Sequence, residues 1–272
     1  MRTMPSMRLS VPAMFLLLAL AIGCGETIEP GDLTEETRIL DLDGAERVSA
    51  KIEMNLGKMN VSGGAREMLD AGFVYNVKDW KPIVEYGVSD DVGRLVIKQP
   101  KTKGKSFAHG FKYEWDLRFG DEVPLDIAME VGAGECRMDL AGLPVSSLDL
   151  TFGAGDVDIV VGGSETLEKL DLEAGAGDIA LDLTGDWDVD LDGRIKAGVG
   201  RVTIDLPEDV GVRIETSKGI GKVGMSGLRR KGDYYVNAAY GKSDKELRIR
   251  VEAGIGAIEL RVGGREEEGV TI

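Results

Sequence analysis

Two cysteines and one histidine among 272 residues leave little material for thiol or imidazole chemistry. Cys24 and Cys136 form at most one pair, so no disulfide framework holds the chain even in an oxidising compartment. His109 has no second histidine for a metal motif, no G-x-S-x-G is present, and a usual zinc site cannot be assembled. Basic residues are also in deficit: 33 Lys and Arg against 48 Asp and Glu give a formal charge of −15. Such a chain is repelled by phosphate backbones, which excludes nucleic acid as a partner. Long apolar runs are missing beyond the first two dozen residues, so no later segment reaches the length of a membrane span.

The beginning of the chain is different. Arg2 and Arg8 precede the apolar residues 11–22, which end in Ala21-Ile22-Gly23-Cys24. A basic start, an apolar stretch of this length and small residues before a cleavage point predict a signal peptide over 1–23. The placement of Cys24 resembles a bacterial lipobox, with Ala21 where leucine is usual, and implies a lipidated first residue of the mature protein. Removing 1–23 takes away two arginines and no acid, so the formal charge becomes −17. Residues 24–39 read as this cysteine and an acidic, flexible tether. The expected location is the bacterial cell envelope, outside the cytoplasm, with the membrane leaflet left open.

What the sequence has in abundance is glycine, 38 residues, and it is periodic. Gly-x-Gly recurs at 132–134, 153–155, 175–177, 198–200, 219–221 and 254–256. The first spacings are 21 to 23 residues and the last is 35. On both sides of each pair apolar residues alternate with polar ones, as in Leu148, Leu150, Phe152 and then Val157, Ile159, Val161. Alternation of this kind marks strands. Strand, glycine corner and strand make one coil, and coils that cannot bury a face alone must stack. The fold class expected is all-β: a β-solenoid of 21–23-residue coils over 123–262, followed by a polar tail over 263–272. The excess in the last spacing falls on 229–242, read as a hairpin inserted in one coil. Cys136 shares the column of Val157, Ile179, Val202, Val223 and Ile258, which assigns it to the core.

Residues 48–61 read as a degenerate first coil with Gly57 at the corner. Beyond them aromatics concentrate: Phe73, Tyr75, Trp80, Tyr86, Phe111, Tyr113, Trp115 and Phe119. Solenoids need atypical end units, so this cluster reads first as a hydrophobic cap over 40–122 and, as the sharper alternative, as a sugar-stacking platform with Trp80 and Trp115 as partner-binding candidates. The run Gly63-Gly64-Ala65 with Leu69, then Tyr75-Asn76, Pro82, Tyr86, Trp115-Asp116-Leu117 and Pro124-Leu125-Asp126 leads into Val131-Gly132-Ala133-Gly134-Glu135. In these features the chain resembles the bacterial toast-rack envelope family, and its repeats are similar to adhesin-head and LiaF-like C-terminal domains. The resemblance implies a β-solenoid at the envelope and brings no catalytic residues.

Four constellations remain. Gly219-Ile220-Gly221-Lys222-Val223-Gly224 spells G-x-G-x-x-G, but no helix follows it and sister units repeat its glycines, so no cofactor is expected. Glu135, Asp156 and Asp178 fall in one column of the stack, where calcium is one reading and cross-rung ion pairs the other. The column is expected to continue to Arg201 and Lys222, with Asp171 beside Arg194 and Glu173 beside Lys196 in parallel columns. Lys101, Lys103 and Lys105 form a basic island around His109 that suits an anionic partner or a plain surface loop. Tyr234, Tyr235 and Tyr240 place aromatic surface on the hairpin. The function expected is a non-catalytic, adhesin-like binding or structural lipoprotein contacting an envelope protein or glycan. A polysaccharide-active β-helix enzyme is the rival, although coils 132–219 leave no room for its long cleft-forming turns. Self-association through sheet edges is the other alternative.

Overall fold

A computed structural model describes residues 27–101, 106–107 and 110–264. Its strands are β1 (Thr27–Ile28), β2 (Thr34–Leu40), β3 (Arg47–Gly63), β4 (Leu69–Tyr75), β5 (Ile83–Ser89), β6 (Val92–Lys98), β7 (Ser106–Phe107), β8 (Tyr113–Phe119), β9 (Leu125–Asp139), β10 (Val145–Val160), β11 (Lys169–Ala176), β12 (Ile179–Asp182), β13 (Leu191–Leu206), β14 (Gly211–Ser226), β15 (Arg229–Lys231), β16 (Tyr234–Val236) and β17 (Glu246–Val262). Apart from the small β1–β7 pair, they form one sheet system. The chain is all-β, and among the described residues no helix is long and apolar enough to cross a membrane.

Each coil is a long strand bent at its Gly-x-Gly into two arms, stacked in parallel register on the next. Leu150 lies beside Met129 on one side and Leu172 on the other, and Gly155 beside Gly134. Alternation sends Leu148, Leu150 and Phe152 of the first arm, and Val157 and Ile159 of the second, into the space between the arms, where all are buried. Full burial of each such side chain is worth about 1.5–3 kcal/mol. Repeated along the stack, this makes one continuous core.

The corner explains the glycines. Gly155 has φ +131°, and a Cβ there would stand 1.7 Å from the carbonyl oxygen of Gly134; at Gly177 it would stand 1.8 Å from that of Gly155. Only a residue without a side chain lets one rung lie on the next at this bend. Gly57 of β3 occupies the same column, beside Gly134, so the stack begins at β3.

Spatial order departs from chain order at the far end. β17 lies between β13 and β14, with Arg201 beside Ala257 and Ala257 beside Lys222. The expected continuation from Arg201 directly to Lys222 is therefore corrected: one rung separates them. The long last spacing has a topological meaning. β14 is the outermost coil, the β15–β16 hairpin follows it, and the chain then returns inside it.

Both ends are covered by excursions. Residues 64–124 leave the stack after β3 and return as β9; β8 and β4 of this excursion and β2 from before the stack extend the second arm, while β6 and β5 extend the first. The pairing of β2 with β4 corrects the reading of 34–39 as tether. Trp80 and Trp115 are almost completely buried there, and their rings meet Tyr113 and Phe73 at centroid distances of 5.4 to 5.6 Å. This corrects the platform reading of those two tryptophans, because a ring enclosed by the cap has no face left for a sugar. Residues 227–245 form the other excursion, in which β16 pairs with β15 on one side and with Arg213 and Ile214 of the first arm on the other.

Candidate functional site

The outward side chains of β13, β17 and β14 build a groove of about 1080 Å3 on the first arms at the C-terminal end. The period of two puts Asp192 and Arg194 on one outer face with Arg248 and Arg250 of β17 and Arg213 and Glu215 of β14. Register then sets Arg194 beside Arg250, and Arg248 beside Arg213. Neighbouring strands are only about 4.8 Å apart, where like charges repel. The acids around them carry the balance. Arg248 donates to Asp190 at 2.8 Å and lies 3.6 Å from Asp192, Arg213 reaches Glu215 at 2.7 Å, Arg250 reaches Glu215 at 3.5 Å, and Arg194 meets Glu252 at 3.9 Å.

The Glu246 backbone N–H donating to Asp190, together with the Arg248 guanidinium, holds the Asp190 carboxyl below its ordinary range. The hydrogen bond that Arg248 itself donates to Asp190 raises Arg248 above its own. Asp171 also lines the groove, beside Arg194 in register, but its Oδ1 is buried with no hydrogen-bond partner. That corrects the expected Asp171–Arg194 pair, since Arg194 turns to Glu252 instead. The neighbouring expectation holds, with Lys196 Nζ donating to Glu173 at 2.7 Å.

The hairpin packs on Arg213 of this groove. Tyr234 and Tyr240 face each other at 6.1 Å, Arg213 sits 4.3 Å above the Tyr234 ring, and Lys231 sits 4.7 Å above that of Tyr240. Cations on aromatic faces contribute about 0.5–1 kcal/mol each at exposed sites. The Tyr234 hydrogen bond pushes the Tyr240 hydroxyl above its usual range. Tyr235 pairs with Ile214 and, by strand alternation, leaves β16 on the opposite face.

The acidic column is distributed among neighbours. Lys58 Nζ donates to Glu135 at 2.9 Å and lowers its pKa, the Asp178 N–H donates to Asp156 at 3.3 Å, and the Arg201 N–H donates to Asp178 at 2.9 Å. Among the described residues, no group of three or more His, Cys, Asp or Glu is placed to hold a metal ion. Cys136 is buried against Met129, and burial pushes its thiol up to about 12. Lys101 is exposed. Cys24, Lys103, Lys105 and His109 lie outside the described residues.

The sequence did not disclose the arginine block, because β17 had to be inserted next to β13 for Arg194 and Arg250 to meet. Two buried amides were missed as well. Gln99 Oε1 accepts the N–H groups of Asn55 at 2.7 Å and Leu56 at 3.1 Å. Asn237 Oδ1 accepts from Val212 at 3.0 Å and Tyr240 at 3.1 Å, while its Nδ2 donates to Val210 at 2.7 Å. A polar residue amid apolar alternation, as in Tyr234-Tyr235-Val236-Asn237, was the available signal.

The family model for the N-terminal domain of toast_rack, DUF2154, matches residues 29–166 and 164–205. No curated protein matches the sequence. A crystal structure from Clostridium sporogenes, provisionally named a cell adhesion protein, is 30% identical, with 85% of this chain and 100% of that chain covered and a TM-score of 0.67. A Bacteroides fragilis structure, provisionally named an adhesin, is 15% identical over 86% of this chain and 99% of that one, with a TM-score of 0.43.

Proposed function

Because the chain belongs to the toast-rack family, we propose that it is a lipid-anchored, adhesin-like envelope module that binds an acidic glycan in the groove of β13, β17 and β14. The observation that carries this reading is the block of Arg194, Arg248, Arg250 and Arg213 in one groove, with Arg213 stacked on Tyr234 of the hairpin. Guanidinium groups engage carboxylates through paired N–H donors, and a uronic acid can displace the long contacts to Glu252 and Glu215. The name of the 30% identical relative supports adhesion over catalysis. So does Asp190 in the groove. A glycosidase needs one carboxyl kept protonated, whereas the partners of Asp190 favour its ionised form.

Calorimetric titration with a uronic-acid oligosaccharide at low salt tests the proposal. Binding should weaken at least tenfold in R194A/R250A and should leave the oligosaccharide uncleaved. Equal binding by both proteins, or release of new reducing ends, would overturn it. Anchoring at Cys24 is tested separately by palmitate labelling, which should disappear in Cys24→Ala.

A further inference from the structure

The second-arm sheet ends in two free edges of unlike chemistry. Among the described residues, β2 pairs only with β4, and 217–226 of β14 pair only with β17. β2 is antiparallel to β4, β4 is antiparallel to β8, and β8 is parallel to β3 and so to every coil. Both edges therefore run in the same direction. The β14 edge carries exposed Lys218 and Lys222, with Arg229, Arg230 and Lys231 on the adjoining hairpin. The β2 end carries exposed Glu35 on the strand and Glu29 and Asp32 just before it, against a single exposed cation, Arg38, which lies 3.5 Å from Glu36. Each end also exposes apolar side chains: Ile220 at 74%, against Leu33 at 52% and Ile39 at 64%.

From these features we infer that copies of this chain stack head to tail, the β2 edge of one joining the 217–226 edge of the next as a parallel strand. Shape agrees with charge. The β15–β16 hairpin extends only the first arm, which leaves a notch over the second. At the opposite end three strands extend the second arm and two extend the first, which makes a tongue. Like ends do not suit each other, because two β14 edges oppose lysines and two β2 edges oppose acids. In the single copy Lys218 Nζ donates to the Gly221 carbonyl at 2.6 Å, on the corner where the next rung would stack. An incoming strand supplies main-chain donors along the rest of that edge. A contact between unlike ends repeats without closing, so the product is an open ladder. One strand pair is narrow beside a standard interface of about 1,600 Å2, so assembly grows with concentration.

Sedimentation velocity of the mature chain carrying Cys24→Ala provides the test. Species beyond dimer should grow with concentration and shrink in high salt. K218E/K222E alone and D32K/E35K alone should remain monomeric, and an equimolar mixture of the two should assemble again because the charges are complementary once more. A monomer at all concentrations, growth that stops at dimer, or a mixture that fails to assemble would each overturn the inference. R194A/R250A should assemble like the wild type, which separates this edge from the groove.

Discussion

The two ends of the stack meet the same difficulty in different ways. A parallel ladder leaves one row of backbone groups unpaired on its first coil and another on its last. At the N-terminal end residues 64–124 cover both arms with strands and close them over Phe73, Trp80, Tyr113 and Trp115. At the C-terminal end residues 227–245 cover one arm and leave 217–226 open. Each end also spends one buried amide on the ladder, Gln99 at the first coil and Asn237 at the last. Closure over the aromatic rings serves stability at the N-terminal end, where only the outer edge of β2 stays free among the described residues. Contact chemistry, the arginine groove and the tyrosine pair, gathers at the end left partly open.

The largest expected effect lies between the ends and sets the scale for both. Gly155→Ala puts a Cβ against the Gly134 carbonyl and should cost more than about 4 kcal/mol in chemical denaturation, enough to prevent folding. Gly232→Ala, at the hairpin tip, has no atom within 4 Å of the new Cβ and only a positive φ to oppose it, so about 1 kcal/mol is expected. Similar losses at the two sites would refute the corner argument.

Next in size, Trp115→Ala should remove about 3–5 kcal/mol from the closed end, whereas Tyr234→Ala at the open end should change melting little and affect binding instead. A stability loss from Tyr234→Ala equal to that from Trp115→Ala would erase the contrast. Asn237→Ala strands the Val212 and Tyr240 N–H groups, with an expected cost of about 2–3 kcal/mol. Hydrogen exchange should localise that loss to β14 and the hairpin, leaving β9 and β10 protected.

Acid should act more mildly. Glu135 and Glu173 are held below the ordinary carboxylate range by Lys58 and Lys196, and Asp190 by the Glu246 N–H and Arg248. A depressed folded pKa stabilises above the unfolded value, and that contribution is lost as pH falls through the folded one. Melting temperature should therefore be level near neutral pH and decline below about pH 4. A melting temperature that rises in acid would contradict the assignment. Smallest of all, Lys196→Ala should cost under about 1 kcal/mol, because an exposed ion pair contributes little.

Much of the fold was legible because its determinants are local and repeated. Alternation around Gly153 to Gly155 shows two arms, and the recurrence of the pair shows that the arms stack. The column of Cys136 with Val157 and Ile179 follows from that spacing alone. Chain order, however, is not rung order. Nothing local to Glu246 to Val262 says that β17 enters between β13 and β14, so Lys222 was set beside Arg201 and the Arg194–Arg250 neighbours went unseen. The aromatic cluster was legible as a cap, because a stack needs an atypical end unit, and the burial of Trp80 and Trp115 agrees with that; only the platform alternative, which the same pattern allowed, is lost.

Rung order underlies the groove, the notch and the free edge together, and crosslinking through paired cysteines tests it most directly. Oxidation should join Arg201→Cys to Ala257→Cys, and Ala257→Cys to Lys222→Cys, since each pair occupies adjacent rungs. The pair Arg201→Cys and Lys222→Cys, with the β17 rung between them, should stay reduced. A ready 201–222 crosslink would place β14 directly on β13 and contradict the account.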